Sequence, residues 1–217
     1  MPKPARKPLI IAVDGPAAAG KGTLARRLAA HFGLRHLDSG ALYRALALSV
    51  LEGCGDTDNL EQALAAVPSL ASADLADPAL REERVGEAAS RLAARPEVRS
   101  ALLGLQRRIA AEPPGAVIDG RDIGTVVCPE APVKLFLDAA PETRAGRRLK
   151  ELQERGVEGI EERVLEGMKD RDRRDRERAV APLVPAPDAF RIDTTGLDAD
   201  AVFKTALCFV EDKIARL

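Results

Sequence analysis

A chain of 217 residues suffices for one medium-sized domain, or a core with one small insertion, with a substantial apolar interior. Hydrophobic residues make up 46% and charged residues 31%, which excludes a disordered chain and a polyelectrolyte. With 33 basic against 34 acidic side chains the formal net charge is -1, so no nucleic-acid partner is expected, because replacing phosphate counterions takes a basic excess. Cys54, Cys128 and Cys208 are few, odd in number and widely spaced, as expected of reduced thiols in the cytoplasm. Residues 1–8 are basic and broken by proline, and the apolar run after them is too short for a signal or membrane segment.

In chain order, residues 9–13 read as a buried strand and residues 23–31 as a helix, with a glycine-rich turn between them. A second strand is expected at 35–37 and a helix at 40–51, then a helix at 96–111 leading to a strand at 116–118. The pattern closes with a strand at 133–137, a helix at 141–155, a strand at 190–193 and a helix at 199–217. Alternation of apolar strands with helices implies an α/β fold with a five-stranded parallel sheet covered on both faces, and such sheets bind ligands at the strands' carboxyl ends. Two stretches depart in composition, each a candidate insertion beside the core. Residues 56–87 are alanine-rich and acidic, and residues 169–178 are almost wholly charged. Pro182, Pro185 and Pro187 are expected to stop the helix that carries the charged run.

The strongest motif follows the first strand directly: Gly15, Pro16, Ala17, Ala18, Ala19, Gly20, Lys21, Gly22 and Thr23. Glycines let backbone N–H groups curl round phosphates, the helix start adds positive potential, and a lysine supplies a cation to the outer phosphates. A plain strand-to-helix turn does not call for the Gly-Lys pair at this point, so a nucleoside triphosphate site is expected. Gly22 stands where a hydroxyl residue commonly follows the lysine, and the hydroxyl comes one place later, as Thr23; no direct protein ligand of a metal is assigned. Residues 38–44, Asp-Ser-Gly-Ala-Leu-Tyr-Arg, combine a helix-capping start with an arginine one turn in. Ser39 and Arg44 fit a phosphate grip and ordinary capping about equally well. Residues 117–125 then put Asp119, Arg121 and Asp122 at the end of a strand facing the loop, a charge density that a plain turn seldom needs. The run 169–178 fits a solvated face of salt pairs and equally a lid whose arginines close on phosphate. Its arginines cannot all share one helical face.

Taken in order and spacing, residues 15–23, 38–44, 120–127 and 174–185 resemble the motifs of the bacterial cytidylate kinases, and the likeness spans nearly the whole chain. The resemblance implies a P-loop NTPase fold with a small monophosphate-binding insertion, here at 56–87, and an arginine-rich lid, here at 147–178. It implies ATP as phosphate donor with Mg²⁺, CMP and dCMP as acceptors, and a chain working as a monomer. It implies that Ser39, Arg44 and Arg121 hold the acceptor phosphate and that Ser90, Arg99 and Asp122 read the cytosine. Arg171 and Asp175 would contact the nucleotide, Asp175 at the ribose, with Arg178 bracing that carboxylate. Lys21, Arg121 and Arg171 stand as the catalytic residues, and Asp119 and Asp122 as candidates to orient the water shell of Mg²⁺. Arg144, Arg147 and Arg148 border the lid and take no individual role, nor do His31 and His36. Residues 60–87 are shorter and more helical than in many members. Residues 80–85 still match the closing segment of the insertion, so acceptor binding is expected to be retained, and how strictly CMP is separated from UMP stays open. A kinase of another small acceptor, or a nucleotide-switched binding protein, would share the loop but not Ser39, Arg44 and Arg121 together.

Overall fold

The computed structural model describes residues 8–217, and the expectation for the basic N-terminus falls on residues outside the described ones. Strands β1 (Leu9–Asp14), β2 (Arg35–Asp38), β3 (Gly115–Gly120), β4 (Val133–Asp138) and β5 (Phe190–Asp193) form one sheet in the order β2-β3-β1-β4-β5. All four pairings are parallel. Around it lie α1 (Lys21–Phe32), α2 (Ser39–Glu52), α3 (Leu60–Ala66), α4 (Glu83–Leu92), α5 (Pro96–Ala111), α6 (Pro141–Glu154), α7 (Glu161–Glu177) and α8 (Ala199–Ile214). The strands and helices read from periodicity fall within three residues of these bounds.

Period-two alternation sends successive β1 side chains to opposite faces of the sheet. Ile11 and Val13 pack with Leu24 and Leu28 of α1 and with Val202, Ala206 and Val210 of α8. Ala12 faces the other way, with Ile118, Leu37, Leu42 of α2 and Ala110 of α5. Full burial of a side chain such as Leu28 contributes roughly 1.5–3 kcal/mol, so two covered faces make β1 the rigid centre on which the site is built. A third apolar cluster joins Leu46, Ala63, Leu70, Leu80, Val85, Leu92, Val98 and Leu102 beside the sheet. Residues 56–87 contribute α3, two single-turn 3-10 segments (Val67–Ser72 and Pro78–Arg81) and the start of α4 to this cluster, and contain no strand.

Four of the strands end on an aspartate, and β3 has one next to last: Asp14, Asp38, Asp119, Asp138 and Asp193. The parallel register places Asp38 beside Asp119 and Asp14 beside Gly120, so one edge of the sheet gathers carboxylates that need donors.

Helix α7 ends at Glu177, four residues short of the region where proline would stop it, which corrects that expectation. Arg178 turns extended, with ψ 139, its Nε donates to the carbonyl of Ala181 at 2.5 Å, and the N–H of Leu183 donates to the carbonyl of Asp175 at 2.8 Å. This reversal satisfies carbonyls near the helix end, and the prolines follow it.

Candidate active site

The loop between β1 and α1 begins at Gly15, whose φ is +145°. A Cβ here would run into the carbonyl oxygen of Leu137 on β4, so only glycine lets the chain leave the central strand this close to its neighbour. Helix α1 then starts with no side-chain cap and no acidic residue in its first turn. Its N–H groups and positive end are left for an anion. Lys21 is buried, with 6% exposure, and its Nζ donates to the carbonyl of Pro16 at 2.6 Å across the loop. Burial, aided by Arg121, lowers its pKa to about 7 against the pull of Asp119 and Asp38. A phosphate would restore its full charge. Thr23 is exposed in the first turn of α1.

Sequence reading missed Asp14. This buried carboxylate accepts the N–H groups of Ile123 at 2.8 Å and Gly124 at 2.7 Å, and burial raises its pKa to about 6. It thereby fastens the turn after β3 (Ile123–Val127) to the root of the phosphate loop. Nothing local in the sequence signals this, because the partners lie 109 and 110 residues away.

On the acceptor side, Ser39 Oγ donates to the carbonyl of Asp119 at 2.8 Å. Gly120 lies so close that a Cβ there would sit 2.5 Å from that hydroxyl. The residue capping α2 is Asp38, which accepts the N–H of Ala41 and pairs with Arg44 Nη2 at 2.6 Å. Arg121 Nε donates to Asp175 Oδ2 at 2.9 Å. Burial opposes its charge, but Asp175, Asp119 and Asp38 outweigh it and raise the pKa of Arg121. Arg171, by contrast, is pushed down to about 10 by burial and by the nearby Arg121. Both Arg44 Nε and Arg171 Nε are buried with no acceptor among the described residues. Lys21, Arg44, Arg121 and Arg171 thus converge with fewer acceptors than donors.

At the far end, Asp122 pairs with Arg99 and, through Oδ1, with Arg178 Nη2 at 3.3 Å. Arg99 also lies over the Tyr43 ring, 5.8 Å from its centroid. Ser90 Oγ accepts from Arg174 Nη1 at 2.7 Å. Of the three base-reading candidates, Ser90 on α4 is held by α7 and Asp122, after β3, by the turn beyond it, while Arg99 on α5 is joined to them through Asp122. One expectation changes. Arg178 braces Asp122 rather than Asp175, because the chain leaves the helix at residue 178. Asp122 is tied by Arg99 and Arg178, while Asp119, held by His36 Nε2 at 2.7 Å, lies beside the phosphate loop, its Oδ2 3.9 Å from a Cβ built on Gly22. His31, near the exposed end of α1, lies 3.7 Å from Glu211.

The charged run divides as helical geometry requires. Arg173 and Arg176 point outward, with side chains 64% and 52% exposed, while Arg171, Arg174 and Asp175 face the pocket. Two of the three unassigned α6 arginines also find structural work. Arg144, 1% exposed, pairs with Asp172 at 2.6 Å and donates to the carbonyls of Ala139 and Ala17 at 2.9 and 3.4 Å. Arg147 binds the Thr194 carbonyl at 2.6 Å, and Thr194 Oγ1 reaches the Ala19 carbonyl at 3.2 Å. Arg148 pairs only with Glu151, at 3.2 Å. Among the described residues no cluster of three His, Cys, Asp or Glu forms a metal cage. Thr23 and Asp119, beside the loop, suit a hard divalent ion that takes most of its oxygens from phosphate and water.

A phosphate loop with a buried lysine, facing a pocket of three arginines at the carboxyl edge of a parallel sheet, defines a P-loop kinase of a phosphate-bearing acceptor. A family model described as cytidylate kinase matches residues 11–212. A cytidylate kinase of Methylocella silvestris is 56% identical over 203 residues, covering 94% of each chain. Another, of Paramagnetospirillum magneticum, is 56% identical over 207 residues, covering 94% of this chain and 98% of its own. A solved structure of an uncharacterized protein from Eubacterium ventriosum superposes with a TM-score of 0.55 at 16% identity, over 94% of this chain and 98% of that one, a likeness of fold alone. The chain belongs to the cytidylate kinase family. It is an ATP-dependent nucleoside monophosphate kinase, and families of this kind work with a divalent metal. Among the described residues no helix is long and apolar enough to cross a membrane.

Proposed function

We propose that Lys21, Arg44, Arg121 and Arg171 carry the phosphate between the two nucleotides. The reaction is that of the family: the terminal phosphate of ATP moves to CMP or dCMP, giving ADP and CDP or dCDP. The observation that carries the assignment is the pair of buried guanidinium nitrogens without acceptors, Arg44 Nε and Arg171 Nε, beside Lys21 and Arg121. A buried donor left unpaired costs about 1–3 kcal/mol, and phosphate oxygens bound there would remove that cost.

In this reading the amides of residues 15–23 and Lys21 cradle the phosphates of ATP, while Ser39, Arg44 and Arg121 seat the acceptor phosphate opposite. That phosphate has a second pKa of about 6 and is mostly a dianion at neutral pH, so no general base is required. Catalysis consists of holding donor and acceptor in line and neutralising the charge on the group in flight, by Lys21, Arg121 and Arg171. Thr23 and Asp119 would stand nearest a bound Mg²⁺, whose charge would add to that neutralisation. Ser90, Arg99 and Asp122 read the cytosine edge. Asp175 Oδ2 is taken by Arg121 and its Oδ1 receives no donor from the described residues, which supports a contact with the ribose. Residues 56–87 serve as the monophosphate-binding insertion and 147–178 as the lid. The free thiols of Cys54, Cys128 and Cys208 suit the cytoplasm.

The test is to supply ATP and Mg²⁺ with CMP, dCMP, UMP, AMP or dTMP in turn and follow diphosphate formation. CMP and dCMP are expected to lead. A lead by another monophosphate removes the base-pocket assignment, and no transfer to any of them reopens the alcohol-kinase and switch-protein readings.

A further inference from the structure

Arg171, Arg174, Asp175 and Arg178 follow the spacing i, i+3, i+4 and i+7, which sets consecutive turns of one helical face toward the pocket. Arg171 lies among the phosphate-binding cations, Asp175 holds Arg121, and Arg178, just past the helix end, holds Asp122. Arg174 reaches a fourth place. Its Nη1 donates to Ser90 Oγ at 2.7 Å, between elements 84 residues apart in the chain. Ser90 itself is buried, with 5% exposure, in the last turn of α4.

A serine hydroxyl has one proton to donate and two lone pairs, and it rotates to suit whatever it meets. Left to itself, such a group discriminates poorly, because cytosine and uracil differ by exchanging donors for acceptors on the edge it would face. A guanidinium has donors only. Once Arg174 occupies one lone pair, Ser90 Oγ is pinned in place and its O–H is excluded from the side of the guanidinium, which leaves one lone pair and one O–H for the base. A polar group held in this way rejects the wrong pattern, since a mismatched base would leave buried donors or acceptors unpaired.

We propose that Arg174 is a positioning residue for base selection: it orients the hydroxyl of Ser90 so that the pocket separates CMP from UMP. This rests on the reading of Ser90 as part of the cytosine site. It also places the selection on the helix that carries Arg171 and Asp175, so the base reader and the phosphate-binding face of α7 move as one body.

The experiment compares kcat/KM for CMP and UMP, with ATP saturating, in wild type, Arg174→Met, Ser90→Ala and the double variant. Met keeps the apolar stem of the arginine and removes its donors. The expected result is a CMP-to-UMP ratio that falls on the order of tenfold in each single variant and no further in the double variant, because both changes disable one device. Equal slowing of CMP and UMP by Arg174→Met would make the arginine a mere pin between α7 and α4, and the inference would be lost. So would it be if Arg174→Met still lowered the ratio in the Ser90→Ala background. A ratio unchanged by Ser90→Ala alone removes both the inference and the place of Ser90 in the pocket. Wild-type protein with no preference for CMP points to a different failure, that of the acceptor assignment itself. Should Arg174→Met melt below assay temperature, Arg174→Gln keeps a polar head too short to hold the hydroxyl and is judged by the same ratio.

Discussion

Arg121 Nε and Asp175 Oδ2 lie 2.9 Å apart, and this pair ties the chain just after β3 to helix α7. Burial works against the ionised carboxyl, yet Arg121 and Arg171 hold its pKa below the usual carboxylate range. Asp175→Ala removes the carboxylate that, among the described residues, is paired with Arg121, and leaves two buried cations to repel each other. Breaking a buried pair in this way costs about 3–5 kcal/mol, to be read as a lower urea midpoint. The same variant tests the ribose contact: the ratio of CMP to dCMP turnover is expected to shift toward equality. An unchanged ratio would remove Asp175 from the sugar while leaving its structural role.

Lys21 gives a prediction in protons. With its pKa lowered to about 7 in the unliganded protein, the lysine is mostly neutral at pH 8 and mostly charged at pH 6. Between phosphates it is held charged. Binding of ATP is therefore expected to take up close to one proton at pH 8 and little at pH 6, measured by calorimetry in two buffers of different ionisation enthalpy. Lys21→Met should abolish the uptake and slow transfer by at least about a hundredfold. Uptake that persists in that variant would place the titrating group elsewhere.

The phosphate loop was legible because its chemistry is local: a strand, a run of small residues and a lysine occupy consecutive positions. The sheet was legible because strands buried on both faces are written as unbroken apolar runs, and β1 and β4 show this most plainly. What local reading lost were partners brought together by the fold. Asp14 binds amides more than a hundred residues downstream, and Arg174 finds Ser90 on another helix. The resemblance sets Arg178 against Asp175, but the chain leaves the helix at that residue and the guanidinium turns to Asp122. Asp119 and Asp122 lie close in the chain, but the fold gives them different partners, His36 for the first and Arg99 with Arg178 for the second.

Asp14 carries a sign that can be checked. Its folded pKa of about 6 lies above the ordinary value of 3.8, so between those values the folded state holds a proton that the unfolded state has lost. Stability contributed by that proton is present at pH 4 and disappears as pH rises through 6. Asp14→Asn cannot titrate. Urea unfolding at several pH values should therefore show wild type losing stability relative to Asp14→Asn between pH 4 and 6. A constant difference across that window would mean that the two backbone N–H bonds hold the carboxylate ionised despite its burial.

Arg144 and Asp172 form a deeply buried ion pair between α6 and α7, with side chains 2% and 7% exposed. Asp172 Oδ1 is already without a partner. Arg144→Met takes the donor from Oδ2 as well and leaves a bare buried carboxylate, for which about 3–5 kcal/mol of lost stability is expected. Arg144→Met with Asp172→Leu removes both charges at similar volume and should recover most of that loss, because a buried pair is often replaceable by apolar packing although half of one is not. The recovery would not extend to nucleotide binding. Arg144 also donates to the carbonyls of Ala139 and Ala17, the second inside the phosphate loop, and these lose their donor in both variants. A several-fold higher KM for ATP is thus expected in the stable double variant. If single and double variants are equally unstable, the loss comes from packing around the guanidinium stem, and the pair does not hold α7 through its charge.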